Sequence, residues 1–312
     1  MTIVDAGADA TEDQFVRVYV HGGVSGKARM ARDLTYAVVA ARASSSALGA
    51  VEAAICRLED DPELNAGYGA VLNGAGELEL DAGIADGSTG AVGAVAAVAV
   101  RNPIRLARAV LERTPHVLVA GPGAARLAAA IGLESLGDTT PEQRSWWRTV
   151  SSGGGHDREG SGAHDHMDTV GAVALDDSGH LCAGSSTGGV TGQMPGRVGD
   201  SPLFGAGFYA SQRAAVTGTG IGELFVEGLA SVRVGLLIEN GIAPQQACET
   251  VIAVLGERRG DATAGLLALD DGGRVGAAYR GGSWFVAGPE GMVDALKVAP
   301  SARAQDHDEH HG

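Results

Sequence analysis

The sequence predicts an α+β fold whose strands pair as antiparallel hairpins. Three observations carry this. Two separate stretches read strand–turn–strand, one opening at Thr169 and one at Thr263. The helical patterns come in runs between them, so no regular βαβ series builds a parallel sheet. No segment repeats at a fixed period.

The elements follow in order. Residues 1–15 are acidic and lack an apolar core, so they read as a loose leader and not a secretory signal. Val16 to Val20 alternate into a short strand that ends at His21-Gly22-Gly23. Helices are expected over 28–43 and 46–59, separated by Ser44-Ser45-Ser46, with Pro62 stopping the second. A glycine-rich turn, Asn65-Ala66-Gly67-Tyr68-Gly69, leads to strand-like stretches at 77–80 and 91–100. Short helices are expected over 104–113 and 122–131. Residues 137–168 are polar, rich in Gly and Ser, and without a period, which predicts a linker or disordered loop. Regular structure resumes at Thr169, where 169–176, the turn Asp176-Asp177-Ser178-Gly179 and 180–187 make a hairpin. Helices over 223–239 and 244–257 come next, the latter with Pro244 in its first turn. A second hairpin, 263–270 and 274–280, follows them.

Composition narrows the function. The 312 residues are 45% apolar, enough for a sizeable core in one large domain or two smaller ones. A formal charge of −15 with no basic patch argues against nucleic-acid and anionic-membrane partners. The longest apolar run, 91–100, is too short to span a bilayer and reads as a buried strand. Cys56, Cys182 and Cys248 lie far apart, in odd number and without a C-x-x-C pair, so a reducing cytoplasm is expected.

The chemistry centres on the junction Asp168-Thr169. A Thr hydroxyl is a weak nucleophile unless a base sits beside it. A free α-amino group on the same residue, with a pKa of roughly 7.7–8.0, is such a base. Cleavage between Asp168 and Thr169 would create it. Taken alone, the dipeptide also fits an ordinary strand residue. Downstream, Ser186-Thr187-Gly188-Gly189 ends the second strand of the same hairpin, so Thr187 can approach Thr169. Arg197 and Asp200 sit three apart in a Gly/Pro-rich loop. They suit the carboxylate and the ammonium of an α-amino acid, although alone they also fit a surface ion pair. Thr217-Gly218-Thr219-Gly220-Ile221-Gly222-Glu223 joins a strand to a helix, where glycine lets backbone N–H groups face an oxyanion.

With DTVGAVALD (168–176), SSTGG (185–189), GRVGDSP (196–202) and TGTGIGE (217–223) in this order, the chain resembles the plant-type L-asparaginase / isoaspartyl peptidase family of N-terminal-nucleophile hydrolases. HGG (21–23), LEDDPELNAGYGAVLN (58–73), LDAGIADG (80–87) and NPIRLARAVLERTPH (102–116) extend the likeness, which covers roughly 16–270. The resemblance implies a four-layer αββα sandwich. It also implies self-cleavage into an α chain, 1–168, and a β chain, 169–312, that together form one domain, and a dimer of such pairs. It implies Thr169 as nucleophile, Thr187 as its hydrogen-bonding partner, and an oxyanion hole from Thr219 and the Gly220 N–H. Arg197 and Asp200 would hold the substrate's α-carboxylate and α-amine, helped by the Gly222 carbonyl. The substrate would be L-asparagine or a β-aspartyl dipeptide, with no cofactor required. A structural sodium ion would sit on the backbone carbonyls of Leu58, Glu59, Asp61, Leu64, Ala66 and Tyr68.

The chain departs from the family's pattern in two places. Ser185 replaces a Thr before Ser186-Thr187. Ala278-Tyr279-Arg280-Gly281-Gly282-Ser283-Trp284 stands where the family carries a Phe-Asn-Thr-like stretch, which bears on the leaving-group side. One alternative in the same class is a glycosylated or specialised-metabolite amide, since Asp168-Thr169 and Ala183-Gly184 look somewhat like glycosylasparaginases. An alternative of another class is an uncleaved, non-catalytic amino-acid-binding protein. Intact Thr169, Thr187, Arg197, Asp200 and Thr219 argue against it. His156, His164 and His166, with Asp157, Asp165 and Asp168, sit in a segment with no rigid frame for a metal, as do His307, His310 and His311. Gly26-Lys27 is no P-loop, because Ala28 replaces the Ser/Thr, and TGTGIGE lacks the dinucleotide spacing. Cys182 reads as a buried strand residue.

Overall fold

A computed structural model of the chain describes residues 16–24, 30–152, 169–260 and 263–299. From the N-terminus these form β1 (Arg17–His21), α1 (Met30–Ala41), α2 (Ala47–Glu59), β2 (Leu80–Asp86), β3 (Ala91–Val98) and α3 (Pro103–Arg113). Next come β4 (Leu118–Ala120), α4 (Gly121–Ala130), α5 (Pro141–Ser152), β5 (Val170–Leu175) and β6 (Leu181–Thr187). Then follow β7 (Phe208–Ala210), β8 (Ala214–Gly220), α6 (Gly222–Gly228), α7 (Ala230–Glu239) and α8 (Pro244–Arg258). The last elements are β9 (Ala264–Asp270), β10 (Val275–Arg280), β11 (Val286–Gly288), β12 (Gly291–Val293) and β13 (Leu296–Lys297).

The strands make two sheets. One has the order β12-β11-β1-β5-β6-β2-β3-β4 and the other β13-β10-β9-β8-β7. Both expected hairpins form: β5 pairs antiparallel with β6, and β9 with β10. The first hairpin sits mid-sheet, with β1 against β5 and β2 against β6.

Burial explains the strand composition. Every residue of β5, β6 and β9 is buried, so these strands read as near-continuous apolar and small runs without polar alternation. Three apolar clusters account for this. Leu34, Ile55 and Ile104 from α1, α2 and α3 pack on Val18, Ala82 and Ala172 of the larger sheet. Phe225, Val234 and Ile252 from α6, α7 and α8 pack on Val216 and Leu266 of the smaller sheet. A third cluster joins residues of both sheets, including Val173, Leu181, Phe208 and Leu267. Among the described residues no helix is long and apolar enough to cross a membrane. Cys56, Cys182 and Cys248 are buried free thiols.

The fold corrects several expectations. The strand expected at 77–80 begins only at Leu80 and runs on to Asp86. Before it, the Asn73 side chain accepts the N–H groups of Ala75 (2.9 Å) and Glu77 (3.0 Å), which locks 73–77 into a turn. Part of the expected linker is the helix α5. Thr140 Oγ1 caps it by accepting the Gln143 N–H (3.2 Å), and Trp147 Nε1 donates to the Asn73 carbonyl (2.7 Å). The rest of that linker, with Asp168 and its histidines, lies outside the described residues, as do the C-terminal histidines. The single helix expected over 223–239 is broken at Leu229, whose φ is +48°. The N–H groups of Ser231 and Val232 there bond to the carbonyls of Ala206 (3.2 Å) and Gly205 (2.9 Å), which turns the chain before α7. The short strands β4, β7, β11, β12 and β13 had no sequence counterpart.

Candidate active site

Thr169 immediately precedes β5 and is 7% exposed. Val170 pairs with Ser186, so the next step outward sets Thr169 beside Thr187. The Thr169 hydroxyl donates to Thr187 Oγ1 at 3.1 Å, and the Gly189 N–H donates to the same oxygen at 3.1 Å. Behind this pair, Gly171 lies opposite His21 across β1 and β5. A side chain at 171 would strike Thr217 Oγ1 and the His21 ring, so only glycine fits. His21 is fully buried, with Nδ1 donating to the Gly22 carbonyl (3.0 Å) and Nε2 3.2 Å from Thr217 Oγ1. Burial pushes its pKa down to about 4, so the imidazole is neutral at pH 7.

A narrow pocket joins the nucleophile candidate to the expected substrate-holding residues. Thr169, Thr187, Arg197, Asp200, Gly220 and Gly222 all line it. Thr219 does not, but it precedes Gly220 in β8, and its buried Oγ1 has no hydrogen-bond partner. Asp200 Oδ2 is likewise buried and unpartnered. Both oxygens are available to bond ligand atoms, since buried polar groups are usually bonded. Burial raises the Asp200 pKa to about 7; the Arg197 guanidinium opposes this, and the carboxylates of Glu223 and Asp81 push further up. A ligand ammonium would relieve three carboxylates gathered around one guanidinium.

Arg197 is forked, as expected, but onto Glu223: Nε donates to Oε1 and Nη2 to Oε2, each at 3.0 Å. A resident carboxylate thus occupies the geometry foreseen for the substrate's. Gly222 leaves room for both side chains here, since a Cβ at that position would lie 2.8 Å from Arg197 Nη2 and 2.9 Å from Asp200 Oδ1.

The departing 279–284 segment lies apart from this pocket. Arg280 turns inward to the Gly260 carbonyl, and Trp284 Nε1 donates to the Gly22 carbonyl at 2.8 Å. The Trp284 ring leans on His21, with centroids 5.5 Å apart. None of its residues lines the pocket with Thr169, so any influence on the site acts from behind. Sequence reasoning missed Glu223, Asp81 and Glu79 as parts of the site, and gave His21 no role.

The loop after α2 carries the carbonyls expected to hold a cation. The carbonyl oxygens of Asp61 and Pro62 would lie 2.9 and 2.8 Å from a Cβ on Gly69, with that of Leu64 closer still, so several carbonyls converge there. The Glu59 carbonyl presses equally on Gly67, whose φ is +53°. The carbonyls of Leu58 and Ala66 accept turn bonds from Asp61 (3.2 Å) and Gly69 (3.3 Å), and that of Tyr68 faces Thr139 Oγ1 (3.4 Å). Carbonyl oxygens suit a hard cation. The Glu59 side chain ties the loop to β6 by accepting from Ser186 Oγ (2.7 Å) and also takes the Ile104 N–H (3.0 Å); burial raises its pKa to about 8. Among the described residues, no cluster of His, Cys, Asp or Glu side chains forms a metal site.

The chain's similarity to known proteins agrees with this geometry. The family model described as asparaginase matches residues 3–292. The plant-type L-asparaginase of Pyrobaculum calidifontis is 42% identical over 282 residues, covering 83% of this chain and 92% of the relative. The isoaspartyl peptidase of Escherichia coli is 42% identical over 250 residues, covering 76% and 77%. The isoaspartyl peptidase/L-asparaginase of Homo sapiens is 40% identical over 254 residues, covering 77% and 82%.

Proposed function

The chain belongs to the asparaginase family, and on that premise we propose that it hydrolyses the side-chain amide of L-asparagine and of β-aspartyl dipeptides, releasing L-aspartate. The observation that carries this reading is the 3.1 Å contact between the Thr169 and Thr187 hydroxyls in a pocket shared with Arg197 and Asp200. Neither the glycosylated-amide reading nor the uncleaved binding protein is favoured by any feature of the site.

In the proposed maturation, the Thr169 hydroxyl attacks the Asp168 carbonyl and the Asp168–Thr169 amide bond breaks, which frees the Thr169 amine and leaves an ester. Water then cleaves the ester, releasing the Asp168 carboxylate and the Thr169 hydroxyl. In turnover, that amine takes the hydroxyl proton as Oγ1 attacks the amide carbon. The oxyanion is held by the Thr219 hydroxyl, which has no other partner, and by the Gly220 N–H. The proton passes to the leaving nitrogen, which departs as ammonia or an amino acid. Water then attacks the ester and releases aspartate. Arg197 holds the α-carboxylate, either sharing its fork with Glu223 or exchanging Glu223 for the substrate. Asp200 and the Gly222 carbonyl hold the ammonium.

Further parts of the reading rest on family membership. They are the four-layer αββα stacking, the assembly of two cleaved pairs and a sodium ion on the 58–68 carbonyls, which would rigidify that loop. A cytoplasmic setting is supported by the three buried thiols. The test is product release from L-asparagine, β-aspartyl dipeptides and glycosyl-asparagine, run beside a denaturing gel. Two bands and aspartate from the first two substrates are expected. A single full-length band after long incubation, or splitting that survives Thr169→Ala, would sink the self-cleavage step.

A further inference from the structure

Asp81 is 1% exposed at the start of β2. A carboxylate that deep is unfavourable unless its oxygens are used, and both are. Oδ1 accepts the Ala97 N–H at 3.0 Å, and Oδ2 accepts the Gly199 N–H at 3.2 Å. The first bond rests on an irregularity. The register between β2 and β3 shifts between Leu80 and Ala82, and Ala97 holds φ at +50°, an uncommon conformation for a residue with a Cβ. That bulge turns the Ala97 N–H onto the carboxylate. The second bond reaches the loop between Arg197 and Asp200. On its other edge, Asp81 pairs with Thr187, the partner of the nucleophile candidate. Two residues earlier, just before β2, Glu79 accepts the Gly196 N–H on both oxygens at 2.9 Å. The loop is thus held at both ends of 196–199 by carboxylates from one short stretch.

We infer that Asp81 is a positioning residue for substrate binding: it fixes the loop carrying Arg197 and Asp200 to the strand pair carrying Thr187. This rests on the reading of Arg197 and Asp200 as the clamp for an α-amino acid. A carboxylate is needed because two N–H groups approach from different elements. An amide of the same shape offers one oxygen and turns its NH₂ onto the other N–H, donor against donor. One anchor is lost and the loop shifts, while Thr169, Thr187 and Thr219 keep their places.

The experiment compares the mature wild type with Asp81→Asn, on a β-aspartyl dipeptide and in calorimetric binding of L-aspartate. The expected result is a KM higher by roughly tenfold to hundredfold, the range for a lost charge-assisted hydrogen bond, with L-aspartate affinity weakened equally and kcat within about threefold. A merely structural role would lower the folded fraction and hence kcat, leaving KM unchanged, and that result overturns the inference. So do unchanged constants. Should the variant fail to fold, amide exchange of the unliganded wild type decides instead. A protected Gly199 N–H supports the anchor, and a freely exchanging one overturns it. If the wild type cleaves no substrate, the functional reading fails on its own and L-aspartate affinity judges Asp81. A wild type that neither cleaves nor binds L-aspartate overturns both.

Discussion

Two glycine-rich loops flank the nucleophile hairpin, and they are held in opposite ways. The loop around residues 58–70 is tied to the segment after β6 by one of its own residues. Asn65 donates through Nδ2 to the Gly189 carbonyl (2.7 Å), accepts the Val71 N–H on Oδ1 (3.0 Å), and takes the Gly188 N–H on its carbonyl (2.9 Å). The loop around 196–200 is held from outside, by Glu79 and Asp81, and it ends at a buried Asp200 with an unpartnered oxygen. One loop is thus fixed by an asparagine of its own whose side chain and carbonyl are all bonded, and the other by borrowed carboxylates, with a free oxygen left at its end for a ligand.

Arg197→Ala should open the widest gap between the two loops. It removes the guanidinium proposed to hold the substrate's α-carboxylate, and truncating one partner of such a pair typically costs about 2–5 kcal/mol of binding, or roughly 30-fold to several thousand-fold in kcat/KM. Activity should collapse while the melting temperature moves little; a melting temperature falling in step would make this loop scaffold too. Asn65→Ala should do the reverse. With two side-chain bonds gone from a buried site, urea unfolding should show a loss of about 2–4 kcal/mol, with KM nearly unchanged in the folded fraction. A raised KM with full stability would erase the distinction.

Asp200→Asn separates the two loops by the sign of its effect. The Asp200 pKa is raised in the folded protein to about 7, so the native state holds its proton more tightly than the unfolded chain. Stability contributed by this group therefore falls as pH rises from the ordinary carboxylate range towards 7, and stays lowered above it. The variant should be more stable than wild type at pH 8 by up to about 4 kcal/mol, close to it near pH 4, and nearly inactive. In the wild type, kcat/KM should climb through about pH 7 as Asp200 ionises to meet the ammonium. Equal urea midpoints for the two proteins at pH 8, or a pH–rate profile flat through neutrality, would remove the ligand-holding reading of this residue.

What was legible in the sequence had a local signature. The Asp176-Asp177-Ser178-Gly179 turn between two buried strands announced the central hairpin, and pairing within it brings Thr169 to Thr187. Arg197 and Asp200 stood out because both charges sit in a short glycine-rich loop. The carboxylates that hold this loop did not, because Asp81 reaches Gly199 across 118 positions and Glu79 reaches Gly196 across 117. A side chain bonding a distant backbone N–H leaves no periodicity to read. Leu229 was hidden for a different reason. Apolar spacing continues through it, and the break depends on carbonyls of residues 205 and 206. In α5 the polar composition masked a helix docked by its cap, by Trp147 and by Arg144, which donates to the Gly76 carbonyl.

The order of strands in the larger sheet bears on how long the protein lasts. β5 and β6 come from after residue 168, yet they are inserted between β1 and β2, which come from before it. If the chain is cut there, as proposed, one continuous sheet is shared by two polypeptides that no peptide bond rejoins. Folding before the cut is unimolecular, whereas recovery after the cut requires two separate molecules to meet. At low concentration, denaturation of the mature form then becomes a one-way event. Its working lifetime would be set by how fast the sheet opens, not by the balance between open and closed.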